Sequence, residues 1–179
     1  MRESFLSFYE RYTRILYYLA FLAGLATFII MCLIDASALT RKFLNWPLPG
    51  SVEITEALMV VGIILPMAYA QATRYHLRVP LLTNHLPLRF QQVFHVVAMF
   101  IGFLFFAAMT WSAFSFTYES FRIDEHVWGA NVRFPLYPVK GVMCLGFLML
   151  AIQFLLDTVK ILIFGPEEFA ENELGSLGA

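Results

Sequence analysis

The sequence predicts an all-α membrane protein of four transmembrane helices, with an amphipathic N-terminal segment and short interfacial connections. Three observations predict it. Of 179 residues, 60% are hydrophobic and only 14% charged, with a mean hydropathy of +0.70. A soluble domain carries about 25% charged residues, so this chain lacks the polar skin that a water-facing fold needs. The apolar residues are gathered into four runs of the length that crosses a hydrocarbon layer as a helix. Nineteen Phe, eight Tyr and three Trp suit lipid-facing sides and interfacial belts.

The first run, 15–34, holds no charge. At 1.5 Å per residue it covers about 30 Å, one hydrocarbon thickness. It is too long for the apolar part of a cleavable signal. Asp35, Arg41 and Lys42 follow it in place of a small-residue cleavage site, so it is expected to remain as a helix. Before it, Phe5, Phe8, Tyr9 and Tyr12 recur at helical spacing among Arg2, Glu3, Glu10, Arg11 and Arg14. That pattern predicts an amphipathic segment over 1–14 lying at the membrane surface, with a solvated helical extension as the alternative.

The second run covers 54–73. Pro47, Pro49 and Gly50 break the chain before it, and Ser51 is expected to cap the helix. Glu53 and Glu56 then fall in the first turns, where the helix dipole favours negative charge. Pro66 lies mid-helix and is expected to kink it, which membranes tolerate when neighbouring helices satisfy the freed carbonyl. The third run, 90–118, exceeds one crossing and should tilt or protrude. The fourth starts after Pro138, with a 16-residue apolar core between Lys140 and Asp157 in which Gln153 is the clearly polar group. Lys140 is expected to snorkel outward, and Asp157 and Lys160, spaced i,i+3, to pair at the other interface. Gly165 and Pro166 should stop the helix. The chain thus divides into the segment 1–14, a four-helix membrane domain over 15–164 and an acidic tail over 165–179 that carries Glu167, Glu168, Glu171 and Glu173.

Orientation follows from the basic residues of the connections. With the N-terminus inside, the inner side holds Arg2, Arg11, Arg14, Arg74, Arg78, Arg89 and Lys160, and the outer side Arg41, Lys42, Arg122, Arg133 and Lys140. Seven against five favours both termini cytoplasmic.

A transport core or proton relay leaves ionisable residues at membrane depth. Here Asp35, Glu53, Glu56, Asp157 and Lys160 all fall at segment ends. The polar groups within the runs are mild: Thr27, Gln71, Thr110, Ser112 and Gln153, read as helix–helix hydrogen bonding. Small residues at Ala20/Gly24 and Ala68/Ala72 are spaced for close packing. Cys32 and Cys144 lie inside apolar runs without metal-ligand spacing and read as small buried hydrophobes. Neither a nucleophile with its base, nor a phosphate-binding glycine loop, nor zinc spacing stands out, so no enzymatic role and no cofactor is expected. A net charge of −1 suggests no nucleic-acid partner. His76 and His95 fall on the same expected side, at the end of the second run and the start of the third. A haem-carrying membrane anchor of a redox enzyme is therefore the alternative reading. A small multidrug-type transporter would need an acid in its first helix, and the first run has none before Asp35.

The connection between the first two runs places Arg41, Lys42, Asn45, Trp46, Pro47, Pro49, Gly50, Ser51, Glu53 and Glu56 in close succession after Asp35. It resembles the signature of the DctQ-type small membrane subunit of TRAP transporters. The resemblance continues through Ala68, Tyr69, Ala70 and Gln71, through His76, Leu77, Arg78 and Val79, and through Pro135, Leu136, Tyr137 and Pro138. The loop from Glu125 to Asn131 departs from the family pattern. The resemblance implies a tripartite, sodium-coupled transporter for organic acids in a bacterial inner membrane. In such a system a periplasmic substrate-binding protein captures the solute and a large polytopic membrane subunit moves it. The small subunit is a non-catalytic scaffold. Arg41, Asn45, Trp46, Gly50, Glu53, Glu56, His76 and Lys140 are the structural and interface candidates. Arg41 and Glu53 in particular are expected to tie the first two helices together.

Overall fold

The computed structural model describes residues 2–46, 48–73, 88–126 and 134–164. They form four helices: α1 (Arg2–Phe43), α2 (Ser51–Ala72), α3 (Leu88–Arg122) and α4 (Tyr137–Phe164). Each is long and apolar enough to cross a membrane. The protein is a multi-pass membrane protein, all-helical as the composition predicts. Among the described residues, β-pairing is limited to one isolated bridge, His126 with Pro135.

The helices run longer than their apolar cores. The 42 residues of α1 make a rod of about 63 Å, twice the hydrocarbon thickness. The amphipathic stretch before residue 15 continues α1 without a break. On α1, Leu16, Ala23 and Ala26 are buried, and Leu19, Ala20, Ile30, Leu33, Ser37 and Thr40 are half-buried. Steps of three, four and seven keep these residues on one stripe. The other faces carry exposed Phe21, Leu22, Leu25, Phe28 and Ile29, as suits a helix with lipid on most sides.

The most extensive contacts join the helices in pairs. α1 lies against α2, α2 against α4, and α4 against α3. The apolar window of α4 is 39% buried, against 6% for α3 and 11% for α1, so α4 is an inner helix and α1 and α3 are flanks. The core joins Leu16, Ala68 and Leu150, one residue from each of α1, α2 and α4. Lipid tails are as apolar as leucine, so what holds these helices together is close packing and hydrogen bonding rather than escape from water.

Two glycines permit the closest approaches. A Cβ on Gly146 of α4 would stand 1.9 Å from Ile64 Cγ2 of α2, and one on Gly102 of α3 would stand 2.7 Å from the ring of Phe154. Phe154 in turn stacks on Phe106 with centroids 5.4 Å apart. The expected pair Ala20/Gly24 is corrected: Gly24 is exposed and a Cβ there would meet nothing within 4 Å. It falls off the buried stripe by one residue, and Ala23 takes the contact. Ala68 is buried as expected. Cys144 is half-buried, but Cys32 is exposed on the lipid-facing side of α1, so the reading of both as buried is corrected for Cys32.

Gly146→Ala is expected to destabilise the protein by about 1–3 kcal/mol, the range for overpacking, while Gly24→Ala stays within about 0.5 kcal/mol. Unfolding in detergent measures both, and Ile64→Ala should recover part of the Gly146→Ala loss.

Candidate functional site

The polar side chains within the helices converge on Asp157. It occupies the last third of α4, where the apolar core ends, yet it is only 4% exposed. Its Oδ1 accepts from Gln153 Nε2 at 2.9 Å, one helical turn earlier, and from the Tyr9 hydroxyl of α1 at 3.2 Å. Its Oδ2 accepts from Gln71 Nε2 of α2 at 3.2 Å. The same Gln71 amide lies 3.4 Å from Met99 Sδ of α3, and Gln153 Nε2 also donates to the Tyr9 oxygen at 3.2 Å. One turn further along α1, the Tyr12 hydroxyl donates to the Met149 carbonyl at 2.6 Å. Lys160 Nζ stands 4.6 Å above the Tyr9 ring, a cation–π distance. All four helices thus contribute to one junction. It also sets topology: the start of α1 and the end of α4 lie on the same side of the protein.

Burying a carboxylate is costly unless its lone pairs are filled, and three donors from three helices fill them here. The expectation that Gln71 and Gln153 hydrogen-bond between helices holds. Thr27 and Thr110 instead bond the carbonyls of Ala23 and Phe106, four residues back in their own helices. The sequence reading put Asp157 at the end of the fourth apolar run and did not anticipate its burial among α1, α2 and α4. The available signal was its i,i+4 spacing from Gln153 on an otherwise apolar helix, which sets both side chains on one face.

A second polar cluster closes the connection between α3 and α4. Lys140 Nζ reaches Glu125 Oε2 and Ser120 Oγ, each at 2.5 Å, and the Ser120 hydroxyl also donates to Glu125. Lys140, expected to snorkel outward, lies in this cluster and over the Phe116 ring at 5.8 Å. Asp124 takes the left-handed conformation at φ 49°, which aspartate tolerates, and turns the chain out of α3. The Leu136 N–H then bonds the Glu125 carbonyl at 3.0 Å. The Lys140 ammonium, and after it the Ser120 hydroxyl, hold the Glu125 carboxyl below the usual carboxylate range.

The third feature is the connection from α1 to α2. Asn45 and Gly50 are its corners, at φ 51° and 79°. The Leu44 and Trp46 N–H groups both return to the Thr40 carbonyl, closing the end of α1. The expected cap at Ser51 is corrected. Gly50 is the N-cap, without a side-chain bond, and Ser51 is the first helical residue, its hydroxyl 3.2 Å from that of Ser37 on α1. The short Gly corner brings Ser51 inward against α1, where its hydroxyl finds a partner. Among the described residues no hydrogen bond or ion pair joins Arg41 to Glu53. Arg41 and Glu56 instead line one cleft with Lys42, Ser51, Val52 and Thr55. Residues 51, 52, 55 and 56 share a face of α2, and Glu53 lies off it. Trp46 is 68% exposed beside this connection. His76 lies outside the described residues, as do the side chain of His95 and the acidic tail 165–179.

What these sites define is a membrane protein whose polar groups bind its own helices to one another, with apolar flanks left bare. The chain belongs to the DctQ component family of the tripartite ATP-independent periplasmic transporters, whose family model matches residues 30–163, well over half of the sequence. It is thus a small subunit of a TRAP transporter, from a family of transporter components that are generally non-enzymatic. Neither a curated protein nor a solved structure matches it. The family leaves the haem-carrying anchor without support.

Asp157→Leu strands the donors of Tyr9, Gln71 and Gln153. It is expected to cost about 1–3 kcal/mol in detergent unfolding, against roughly 0.6 kcal/mol for Gln71→Leu, which breaks one interhelical bond. Because all three donors share one acceptor, Gln71→Leu should cost less in the Asp157→Leu background than in the native chain. For Glu125 the folded pKa lies below its unfolded value, so its contribution is complete above the ordinary carboxylate pKa and disappears as pH falls through the folded one. Thermal melts at falling acid pH should therefore lose more stability in the native chain than in Glu125→Gln, and Lys140→Gln should abolish the difference.

Proposed function

We propose that the chain is the static, non-catalytic small subunit of a tripartite, sodium-coupled, binding-protein-dependent carrier of organic acids. In this reading it scaffolds the large transport subunit in a bacterial inner membrane, with both termini cytoplasmic. DctQ components work with a large DctM subunit and a periplasmic binding protein. The observation that carries the scaffold reading is the Asp157 junction. The one carboxylate buried among the described helices is occupied by donors from the chain's own α1, α2 and α4, which fixes those helices against one another.

A scaffold must also resist displacement along the membrane normal when its partner moves. Pulling a charged group into hydrocarbon costs about 2.5–3.5 kcal/mol or more. Glu10, Arg11 and Arg14 stand near one end of the α1 span, with Arg41 and Lys42 in its last turn. Charges at both ends oppose motion in either direction. The exposed apolar flanks supply the surface for a membrane partner: Phe21, Leu25 and Phe28 on α1, and Phe105, Trp111 and Phe114 on α3. Bulky side chains there can fill grooves by dispersion packing, the force available between helices in lipid.

Reconstitution tests the reading. Liposomes holding this chain alone should take up no organic acid. Liposomes holding it with the large subunit and the binding protein should take it up along a sodium gradient. Uptake by the chain alone, or full uptake by the large subunit and binding protein without it, would overturn the proposal.

A further inference from the structure

Of the two bare flanks, that of α3 carries polar groups at a depth where lipid cannot serve them. Trp111 is 77% exposed, the most exposed of the large apolar side chains described. Glu119, the first charge beyond it, lies eight residues on, about 12 Å, and in the other direction the helix holds no charge back to Arg89. The neighbouring Thr110 carbonyl accepts from the Cys144 thiol at 3.8 Å, within the apolar core of α4. Helical side chains lean toward the N-terminus, which on α3 takes the indole away from Glu119 and further into the hydrocarbon. Tryptophan in membrane helices favours the interface, where its N–H is wet.

Ala108, Ser112, Ser115, Glu119 and Arg122 share this side of α3, opposite the buried Ala113 and the Ser120 that bonds Lys140 of α4. The Ser115 hydroxyl turns back to the Trp111 carbonyl at 3.2 Å. Among the described residues neither the Trp111 N–H nor the Ser112 hydroxyl makes a hydrogen bond, and neither Glu119 nor Arg122 makes an ion pair. Trp111, Phe114, Ser115, Tyr118, Glu119 and Arg122 line one open groove there. The α1 flank is different. Over 19–34 it shows Phe21, Leu22, Leu25, Phe28 and Ile29, and its one hydroxyl, Thr27, bonds the Ala23 carbonyl of its own helix. Acyl chains satisfy that flank. They offer the α3 flank no acceptor for an N–H and no counter-charge.

The occupant of the α3 face is therefore a protein with hydrogen-bonding groups at membrane depth. A second copy fits poorly, because a two-fold axis along the membrane normal opposes Trp111 to Trp111 and Glu119 to Glu119, bulk on bulk and like charge on like charge. We infer that this face of α3 docks a helix of the large transport subunit, an assignment that rests on the scaffold reading. The partner helix lies over the small residues Ala108, Ser112 and Ser115, which let two backbones approach closely. The Trp111 ring packs beside it with its N–H on an acceptor of that helix, and Glu119 and Arg122 pair with opposite charges where the groove nears the membrane edge. The α1 flank faces lipid.

The test uses the full chain, tagged and produced in membranes together with the large subunit. A benzoylphenylalanine photocrosslinker in place of Phe114 or Tyr118 should give an adduct with the large subunit, and one in place of Phe21 or Phe28 should not. Ser115→Leu, which fills the groove, should lower the recovery of the large subunit about tenfold. Trp111→Phe, which keeps a ring and loses the N–H, should lower it about threefold, the worth of one interhelical hydrogen bond in a membrane. Gly24→Leu on the α1 flank should leave it unchanged. Should Ser115→Leu misfold, the crosslinks decide by themselves. Adducts from positions 21 and 28 with none from 114 and 118, while the native chain still brings down the large subunit, overturn this assignment and leave the scaffold reading standing. An adduct of the chain with itself from 114 or 118 also overturns it, as does undiminished recovery with Ser115→Leu. A native chain that brings down no large subunit overturns the scaffold reading and the docking face with it.

Discussion

The structure depends on a carboxylate that is out of reach of water. Asp157 must be fully hydrogen-bonded where it lies, and the only way to achieve this is to bring α1, α2 and α4 to fixed positions around it. In a medium where apolar surfaces attract one another no better than they attract lipid, such a point contact specifies what hydrophobic burial cannot. The aliphatic contacts among Leu16, Ala68 and Leu150 could slide by a turn at modest cost. Three directional bonds to one carboxylate could not. The junction therefore sets the register of the helices, and the glycine contacts at 102 and 146 then set how closely they approach.

Around that junction the pairing of the helices follows from the small number of close contacts. Gly146 admits Ile64, so α2 and α4 come together, and Gly102 admits the Phe154 ring, so α3 is drawn to the other side of α4. α1 joins through Ala23 and Ala26 on one narrow stripe. The outer flanks of α1 and α3 keep large aromatic side chains exposed. A subunit built in this way offers much exposed apolar area for its size.

The fold was legible because its signal is simple. Four apolar runs and a scarcity of charge leave few alternatives. The packing was less legible. A small residue at Gly24 looks the same in sequence as one at Gly146, and which of them meets a neighbour depends on a rotation of about 100° per residue that composition does not report. Asp157 was read from its place at the end of an apolar run, which does not report its neighbours. It is buried because α1 continues, helical, well before its apolar run and brings Tyr9 to the same depth. Ser51 was read as a cap from residue type. The preceding Gly50, free to adopt φ 79°, took that position and released the serine to bond Ser37. In each case the deciding fact was the placement of a second element.

The length of α1 has a mechanical consequence. Its first 13 residues, before the charge-free run, add about 20 Å to the rod on the side where the chain begins and α4 ends. That extension is braced, since Tyr9 and Tyr12 are bolted to Asp157 and Met149 of α4. With Tyr9 level with Asp157, the seven residues of α1 before it and the seven of α4 after it reach equally far, about 10 Å, so the two helices end as one stiff pair that moves as a unit.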